Sequence, residues 1–397
     1  MDEFVGSNAR ETNRLRMLEM LLRKPTHSRG ELVRSLGVSR ATVAALLTEL
    51  EHAGIVSQQA EGWQDRRAKG RPPLQVSLTA EAAFAVGLDF GQRHLRAGVC
   101  DLGGRLLAEC WSPIELDADP FATLDEAERL MRAAIAEADI PRERLIGAGV
   151  GFAAPVDAVT GKVLTGGILP GWDGIDPAAE LQRRMGMSVL VENDANAGAI
   201  GEHMFGFGRG IADLVYLRLS TGVGLGLVMG GRPYRGASGV AGEIGHVPAV
   251  EGGLICRCGN RGCLETVASP LVLADLLSRS RNEPISVERM IDLVQAGDRG
   301  AKRAVADAGR AVGRAIAAAV NILNPRLIVI GGELAPAGDV LLNPIRAAIE
   351  EDAVEPAAEA VSVIASTLGT RAEVIGAASI QLTRAPAALA RRLARTA

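Results

Sequence analysis

Val86-Gly-Leu-Asp89-Phe-Gly91 reads as an apolar strand that ends at an acidic residue and a glycine. Residues 95–100 and the turn Asp101-Leu-Gly-Gly-Arg105 then suggest an antiparallel continuation. The texture recurs along the chain. Residues 145–151 form a strand entering a loop, and Val189-Leu-Val-Glu192-Asn193-Asp194-Ala-Asn196 a strand ending in polar residues. The strand at 214–219 runs into Ser220-Thr221-Gly222-Val-Gly224-Leu-Gly226. Strands, glycine turns and helices in alternation predict an α/β fold. Two glycine-rich strand ends facing each other make a ligand cleft, although glycine runs also serve hairpins.

A second signal is chemical. Glu243-Ile-Gly-His246 is followed by Cys256-Arg-Cys258-Gly-Asn-Arg-Gly-Cys263-Leu-Glu265, one imidazole and three thiols in a short span. Zinc favours four tetrahedral thiolate and imidazole ligands, and His246, Cys256, Cys258 and Cys263 make a closed set with no position for a catalytic water. The expected ion is therefore structural Zn2+, with Gly259 and Gly262 turning the loop tightly enough for the thiols to converge. A disulfide is the competing reading. It leaves one thiol over, and Cys256 and Cys258 are too close in sequence to bridge without strain. A metal that fixes this loop also fixes the flanking carboxylates Glu243 and Glu265. Cys100 and Cys110, in an apolar stretch, read as buried thiols without a role.

Together, Asp-x-Gly at 89–91, Glu-Asn-Asp-Ala-Asn at 192–196, Ser-Thr-Gly-Val-Gly at 220–224, Glu-x-Gly-His and the cysteine run resemble the ROK family (repressors, uncharacterised reading frames and sugar kinases). Asn324-Pro-Arg-Leu-Ile-Val-Ile-Gly331-Gly332 resembles the strand and double glycine where family kinases hold the nucleoside, and the likeness spans roughly 82 to 383. It implies two actin-like lobes of ribonuclease-H-like topology with a sugar between them, its hydroxyls held by Asn193, Asp194, Glu243, His246 and Glu265. The chemistry is reasonable, because ionised carboxylates accept from hydroxyls and an amide supplies the missing donor. Ordinary capping at strand ends is the plainer reading of the same residues. In the kinase branch, the residue matching Asp194 takes the proton from the attacking sugar hydroxyl. Family kinases, however, follow Asp-x-Gly with Gly-Thr to hold phosphates, whereas this chain reads Gln92-Arg93-His94. Phosphoryl transfer depends on positioning and charge stabilisation, so bulky Gln92 and Arg93 in place of that turn predict a sensor rather than an enzyme. The loop Gly151-Phe-Ala-Ala-Pro155 and the turn near Gly166-Gly167 depart from the glucose-kinase pattern, which usually offers an Asn, and leave the sugar unnamed.

Ahead of this region, Leu15, Leu18, Leu21 and Leu22 recur at helical spacing, and Pro25 ends that helix. Ser28 with Glu31 makes a capping box opening a helix through Leu36, and Gly37-Val38 turns. Ser39 caps a third helix carrying Ala41, Val43, Leu46, Leu47 and Leu50, which Gly54 closes. This is the pattern of a helix-turn-helix, with Ser39, Arg40, Thr42 and also Ala44 and Ala45 placed to meet base edges. A plain three-helix bundle shares it. The strand-like stretches at 55–57 and 74–78 flank a basic loop whose Lys69-Gly-Arg71-Pro tip is a candidate minor-groove wing, or equally a solvated linker.

Composition bounds the rest. At 397 residues, 48% of them apolar, the chain can bury two or three domains. Residues 1–73 carry 12 Lys and Arg against 9 Asp and Glu, net +3, so the remainder of a chain of net charge −4 is −7. The basic end suits a polyanion. No uncharged apolar run spans a bilayer and no signal-peptide order is present, which predicts a cytoplasmic protein without a membrane partner. The expectation is an α/β fold with a winged helix-turn-helix of α+β type over 1–80 and a two-lobed sugar-binding domain over 82–397, with the zinc loop at about 243–265. Its partners would be double-stranded operator DNA, a small sugar effector and a second copy, as homodimer or homotetramer.

Overall fold

The computed structural model describes residues 9–60, 74–164 and 168–396. It opens with α1 (Ala9–Arg23), β1 (His27–Ser28), α2 (Arg29–Leu36), α3 (Arg40–His52), β2 (Val56–Ala60) and β3 (Leu74–Leu78). Local chemistry sets these boundaries. Ser28 Oγ accepts from the Glu31 N–H at 3.2 Å while Glu31 accepts from the Ser28 N–H at 2.7 Å, which fixes the start of α2. Gly37 ends that helix at φ 69°, a left-handed conformation that costs glycine little. Ser39 accepts from the Thr42 N–H at 3.1 Å and starts α3. The strands form a small antiparallel sheet in the order β1-β3-β2. The loop between β2 and β3, with Lys69 and Arg71, lies outside the described residues.

One detail differs from the apolar spacing. In α1 the buried stripe is Arg14, Met17, Leu18 and Leu21, with Leu15 and Leu22 only half-buried. Arg14 is tolerated there because its guanidinium meets Glu49 of α3 at 2.6 Å.

Two larger sheets follow, built to one plan. The first lobe comprises β4 (Phe84–Phe90), β5 (His94–Asp101), β6 (Leu106–Pro113), α4 (Pro120–Ala138), β7 (Leu145–Phe152), α5 (Pro177–Met185), β8 (Val189–Asn193) and α6 (Asp194–Phe205). The second comprises β9 (Leu214–Leu219), β10 (Val223–Met229), β11 (Arg232–Pro233), α7 (Glu265–Ala268), α8 (Pro270–Arg281), α9 (Val287–Gln295), α10 (Arg299–Leu323), β12 (Leu327–Gly331), α11 (Asp339–Asp352), α12 (Glu355–Ala360) and β13 (Ser362–Ala365). The chain ends in α13 (Ala372–Leu382) and α14 (Ala385–Thr396). The sheet orders are β6-β5-β4-β7-β8 and β11-β10-β9-β12-β13. In each, the first strand is central, the next two pair antiparallel on one side and the last two parallel on the other. This repeated topology is the two-lobed, ribonuclease-H-like arrangement expected from the sequence.

The lobes exchange helices. Leaving the first sheet, α6 packs on β9 and β10 of the second, while α13, leaving the second sheet, packs on β4, β5 and β7 of the first. The two helices also pack on each other. Glycines permit the approach: a Cβ at Gly226 of β10 would lie 2.2 Å from the Ala195 carbonyl of α6. Thus Gly224 and Gly226 lie within the hairpin strand β10, and only Ser220-Thr221-Gly222 forms the turn. α14 turns back onto α1, where Leu389 and Leu393 join Met17, Leu18 and Leu21 in one apolar cluster. The sequence boundary near residue 80 therefore divides a core to which the last helix also contributes.

Candidate functional site

The thiols and the imidazole converge. His246 ends a short 3-10 turn, and the following loop folds back so that Pro248 bridges Cys263 and Ile255 bridges Arg261. Gly262 has φ 72°, and a Cβ there would stand 1.8 Å from the Val250 carbonyl oxygen, so the loop closes only with glycine. The ligand atoms of His246, Cys256, Cys258 and Cys263 all lie within 4.8 Å of one another. Cys258 Sγ is 3.7 Å from Cys263 Sγ, and Cys256 Sγ is 3.5 Å from His246 Nδ1. A zinc tetrahedron with Zn–S of about 2.3 Å and Zn–N of about 2.0 Å has edges of roughly 3.8 and 3.5 Å. The donor set fits the metal in type, number and spacing. With Nδ1 facing the thiols, His246 Nε2 faces Glu243 at 3.7 Å. Of the other cysteines, Cys100 is buried, whereas Cys110 is only half-buried, on edge strand β6 facing Glu137.

Beside the loop, Asn193, Asp194, Glu243, His246 and Glu265 line one recess with Ala153, Ala154 and Pro155. Each is positioned from the backbone upward. Asn193 is the N-cap of α6, with Oδ1 accepting from the Asn196 N–H at 3.1 Å and Nδ2 donating to the Ala154 carbonyl at 3.2 Å. It is thus a cap that also faces the recess. Asp194 Oδ1 accepts from the Ala195 N–H at 2.8 Å, and Oδ2 lies 3.0 Å from Arg218 Nη1. Burial pushes this carboxyl above its ordinary range, with Arg218 opposing and Asp89 adding to the shift. Burial, then the Asp194 and Glu265 carboxylates, push Glu243 up to about 7. Near neutral pH such a group is able to donate as well as accept a hydrogen bond. Glu265 opens α7 and is gripped by Arg257, with Nε 3.2 Å from Oε1 and Nη2 donating to Oε2 at 3.2 Å. Sequence reasoning passed over Arg257, although its place between two thiol ligands was the signal available. The turn at Gly166-Gly167 lies outside the described residues. The recess has a volume of about 50 Å³, room for a few waters at about 10–15 Å³ each. A sugar ring does not fit this volume as it stands.

A cleft of about 870 Å³ adjoins it, walled by Asp89, His94, Arg96, Trp111, Thr221 and Gly332, with apolar groups of α8 and α9 opposite. Here the turn after β4 differs from expectation. Gln92 lines the recess, and Arg93, largely exposed, lines the cleft and stands 3.8 Å from Glu115. The group filling the turn is His94, whose ring would lie 2.2 Å from a Cβ at Gly91 and whose Nε2 is 2.7 Å from Asp89 Oδ2. Burial works against both charges. His94, with Arg218 and Arg96, nevertheless holds Asp89 below its usual range, and Asp89 raises His94. Bulk and a buried ion pair thus occupy the strand end expected to have lost its phosphate cradle.

On the N-terminal unit, Ser39, Arg40, Ala44 and Ala45 are exposed at the start of α3, and Ala41 and Thr48 extend the stripe. Thr42 is half-buried and its hydroxyl lies 2.9 Å from that of Ser39, so it serves the cap.

Comparison with known proteins gives consistent findings. A family model described as ROK family matches residues 85–384, and one described as winged helix-turn-helix DNA-binding matches residues 10–57. The chain is 27% identical over 371 residues to the xylose repressor of Bacillus subtilis strain 168, covering 94% of this chain and 95% of that one. It matches a solved ROK family transcriptional regulator, a homologue of the E. coli MLC protein, with TM-score 0.78 and 25% identity over 97% of this chain and 99% of the other. A ROK family glucokinase from Streptomyces griseus, solved with glucose and AMPPNP, matches with TM-score 0.65 and 29% identity over 75% of this chain and 99% of its own.

Proposed function

The chain belongs to the ROK family, and from that premise we propose that it is a sugar-responsive, DNA-binding transcriptional repressor of carbohydrate uptake or catabolism genes. One observation carries this reading: a winged helix-turn-helix and a recess lined by Asn193, Asp194, Glu243, His246 and Glu265 share a chain in which His94 and its ion pair with Asp89 fill the turn after β4. In the recess the carboxylates of Asp194, Glu243 and Glu265 accept from sugar hydroxyls, while Asn193 and His246 Nε2 complete the ring of partners. Such a site rejects a sugar lacking one hydroxyl, because the lost bond leaves a buried group unpaired.

Zinc, held by His246, Cys256, Cys258 and Cys263, supplies rigidity to the loop that presents Glu243 and Glu265. Ser39, Arg40 and Thr42 at the start of α3 read double-stranded operator DNA in the major groove, with Lys69 and Arg71 as the wing contacts. The protein works in the cytoplasm as a homodimer or larger assembly, because paired helix-turn-helix units on a two-fold operator gain affinity and spacing specificity together. Sugar binding draws in the zinc loop and closes the lobes, which re-aims the paired DNA-binding units.

The second reading, an ATP-dependent sugar kinase with a fused DNA-binding unit, is favoured by Asp194 at the recess, where the base would stand. Thermal unfolding of the zinc-loaded chain against monosaccharides and sugar phosphates, with and without MgATP, separates the two. A sugar-specific rise in midpoint with no ADP release is the expected result. Sugar-dependent ADP release would overturn the non-enzymatic reading.

A further inference from the structure

Among the described residues, Arg218 is the one side chain lining both the recess and the cleft. It lies on β9, where every residue is buried, and is itself only 5% exposed. An arginine there requires partners, and it has two. Nη1 is 3.0 Å from Asp194 Oδ2, and Nε is 3.2 Å from Glu373 Oε1, an ion-pair contact without hydrogen-bond alignment. Tyr216, on the same face of β9, donates its hydroxyl to that Glu373 oxygen at 2.8 Å. Asp194 and Glu373 stand in the first turns of α6 and α13, so this buried cluster sits where the two exchanged helices begin.

Beyond Glu373, α13 is locked to the first sheet. A Cβ at Gly87 would stand 1.9 Å from the Val374 carbonyl oxygen, and one at Gly149 1.8 Å from that of Ala377. Backbone meets backbone, leaving no side-chain slack, so helix and sheet move together. Gln381 at the far end donates to the Ala148 carbonyl at 3.0 Å. The chain then enters α14, whose Leu389 and Leu393 complete the core beneath α1. The first sheet, α13, α14 and the winged helix thus form one packed body, joined to the second lobe through α6, which packs on β9, β10 and α13, and through the polar cluster around Arg218 where α6 and α13 begin.

We propose that Arg218 is a positioning residue that ties occupancy of the recess to the orientation of the DNA-binding unit by sharing its guanidinium between Asp194 and Glu373. A sugar hydroxyl donated to Asp194 competes for the lone pairs that Arg218 uses. The guanidinium then turns to Glu373, tightening β9 against the start of α13 and shifting the body that carries the winged helix. This rests on the reading above that the recess binds a sugar.

The test uses the full-length chain with D-xylose, D-glucose and N-acetylglucosamine as probes, and a duplex selected from a random pool by the wild-type protein. Glu373→Gln keeps the shape and the acceptor for Tyr216 but removes the charge. In the wild type, sugar should change DNA affinity by about 5- to 150-fold, the usual range for coupled sites, and in Glu373→Gln by less than about twofold, with calorimetric sugar affinity kept. Hydrogen exchange in α1 and α14 should respond to sugar in the wild type alone. Tyr216→Phe, a milder change that covers any failure of Glu373→Gln to fold, should give a partial response. A Glu373→Gln chain that responds fully, or that loses sugar binding along with the response, overturns the proposal. Full response in Tyr216→Phe does so where Glu373→Gln does not fold. If the wild type binds none of the sugars, the sugar reading falls first and takes this one with it.

Discussion

The recess and the cleft lie on either side of Arg218, at the ends of strands from two sheets of identical order. In the recess, polar groups from β8, α6, the cysteine-rich loop and α7 point at a small common space. The cleft is far larger, yet its acidic strand end, Asp89, is 1% exposed and bonded to His94. Topology alone therefore confers no chemistry. At one strand end Asn193 and Asp194 face a shared recess while also serving a helix cap and an ion pair, and at the other Asp89 is paired with His94.

The contrast can be broken experimentally, most severely at the cluster of His246, Cys256, Cys258 and Cys263. Cys263→Ser, or chelation of the wild type, should remove the ion and lower sugar affinity by about 100-fold or more, beyond the usual loss when a group supporting a ligand is removed. Metal analysis and calorimetry on the same sample check this, and full sugar affinity in metal-free protein would sink it. Asp194→Asn should cost about 10- to 150-fold in sugar affinity, the worth of a hydrogen bond to a charged group. A circular dichroism melt should also show lower stability, because half of Arg218's buried pairing is lost.

On the cleft side, effects should be smaller. His94→Gln tests the Asp89 pair through pH. Asp89 is held below 3.8, so its contribution is present above that pH and lost as pH falls further; His94 is raised above 6.5, so its contribution is full below that pH and lost as pH rises through the elevated value. The gap in thermal midpoint between wild type and variant should be widest from about pH 4 to 6.5 and shrink on either side. A gap that is flat with pH would show that packing alone holds His94. Gln92→Gly with Arg93→Thr should leave ADP release at background while His94 still fills the turn. Trp111→Ala, 63% exposed at the cleft mouth, should move sugar affinity by no more than about twofold, as for most surface changes.

Much of this arrangement was legible in the sequence, for identifiable reasons. Caps such as Ser28 and Ser39 act over three residues, so local reading locates them. The convergence of His246, Cys256, Cys258 and Cys263 was legible because few loops bring three thiols and an imidazole so near in sequence. The gathering of Asn193, Asp194, Glu243, His246 and Glu265 followed from likeness to the family. What escaped was long-range. Arg218 in an apolar strand carries no local mark of the two carboxylates that neutralise it. Arg257 resembled loop filler. His94 was overshadowed by bulkier-seeming Gln92 and Arg93, because which ring covers Gly91 depends on how β5 pairs with β4. Packing of α14 on α1 joins segments that no periodicity links.

That last contact bears on how the protein is made. A helix-turn-helix at the head of a chain ordinarily finishes folding early, while the ribosome still works downstream. Here Leu389 and Leu393 complete the apolar floor under α1, so the DNA-binding unit stays uncovered on one side until α14 emerges, after both lobes. A message cut short before residue 385 would yield a reader of DNA with an exposed core, a substrate for proteolysis rather than a constitutive repressor. The cell is thereby spared a regulator that grips its operator without the domain that listens for sugar.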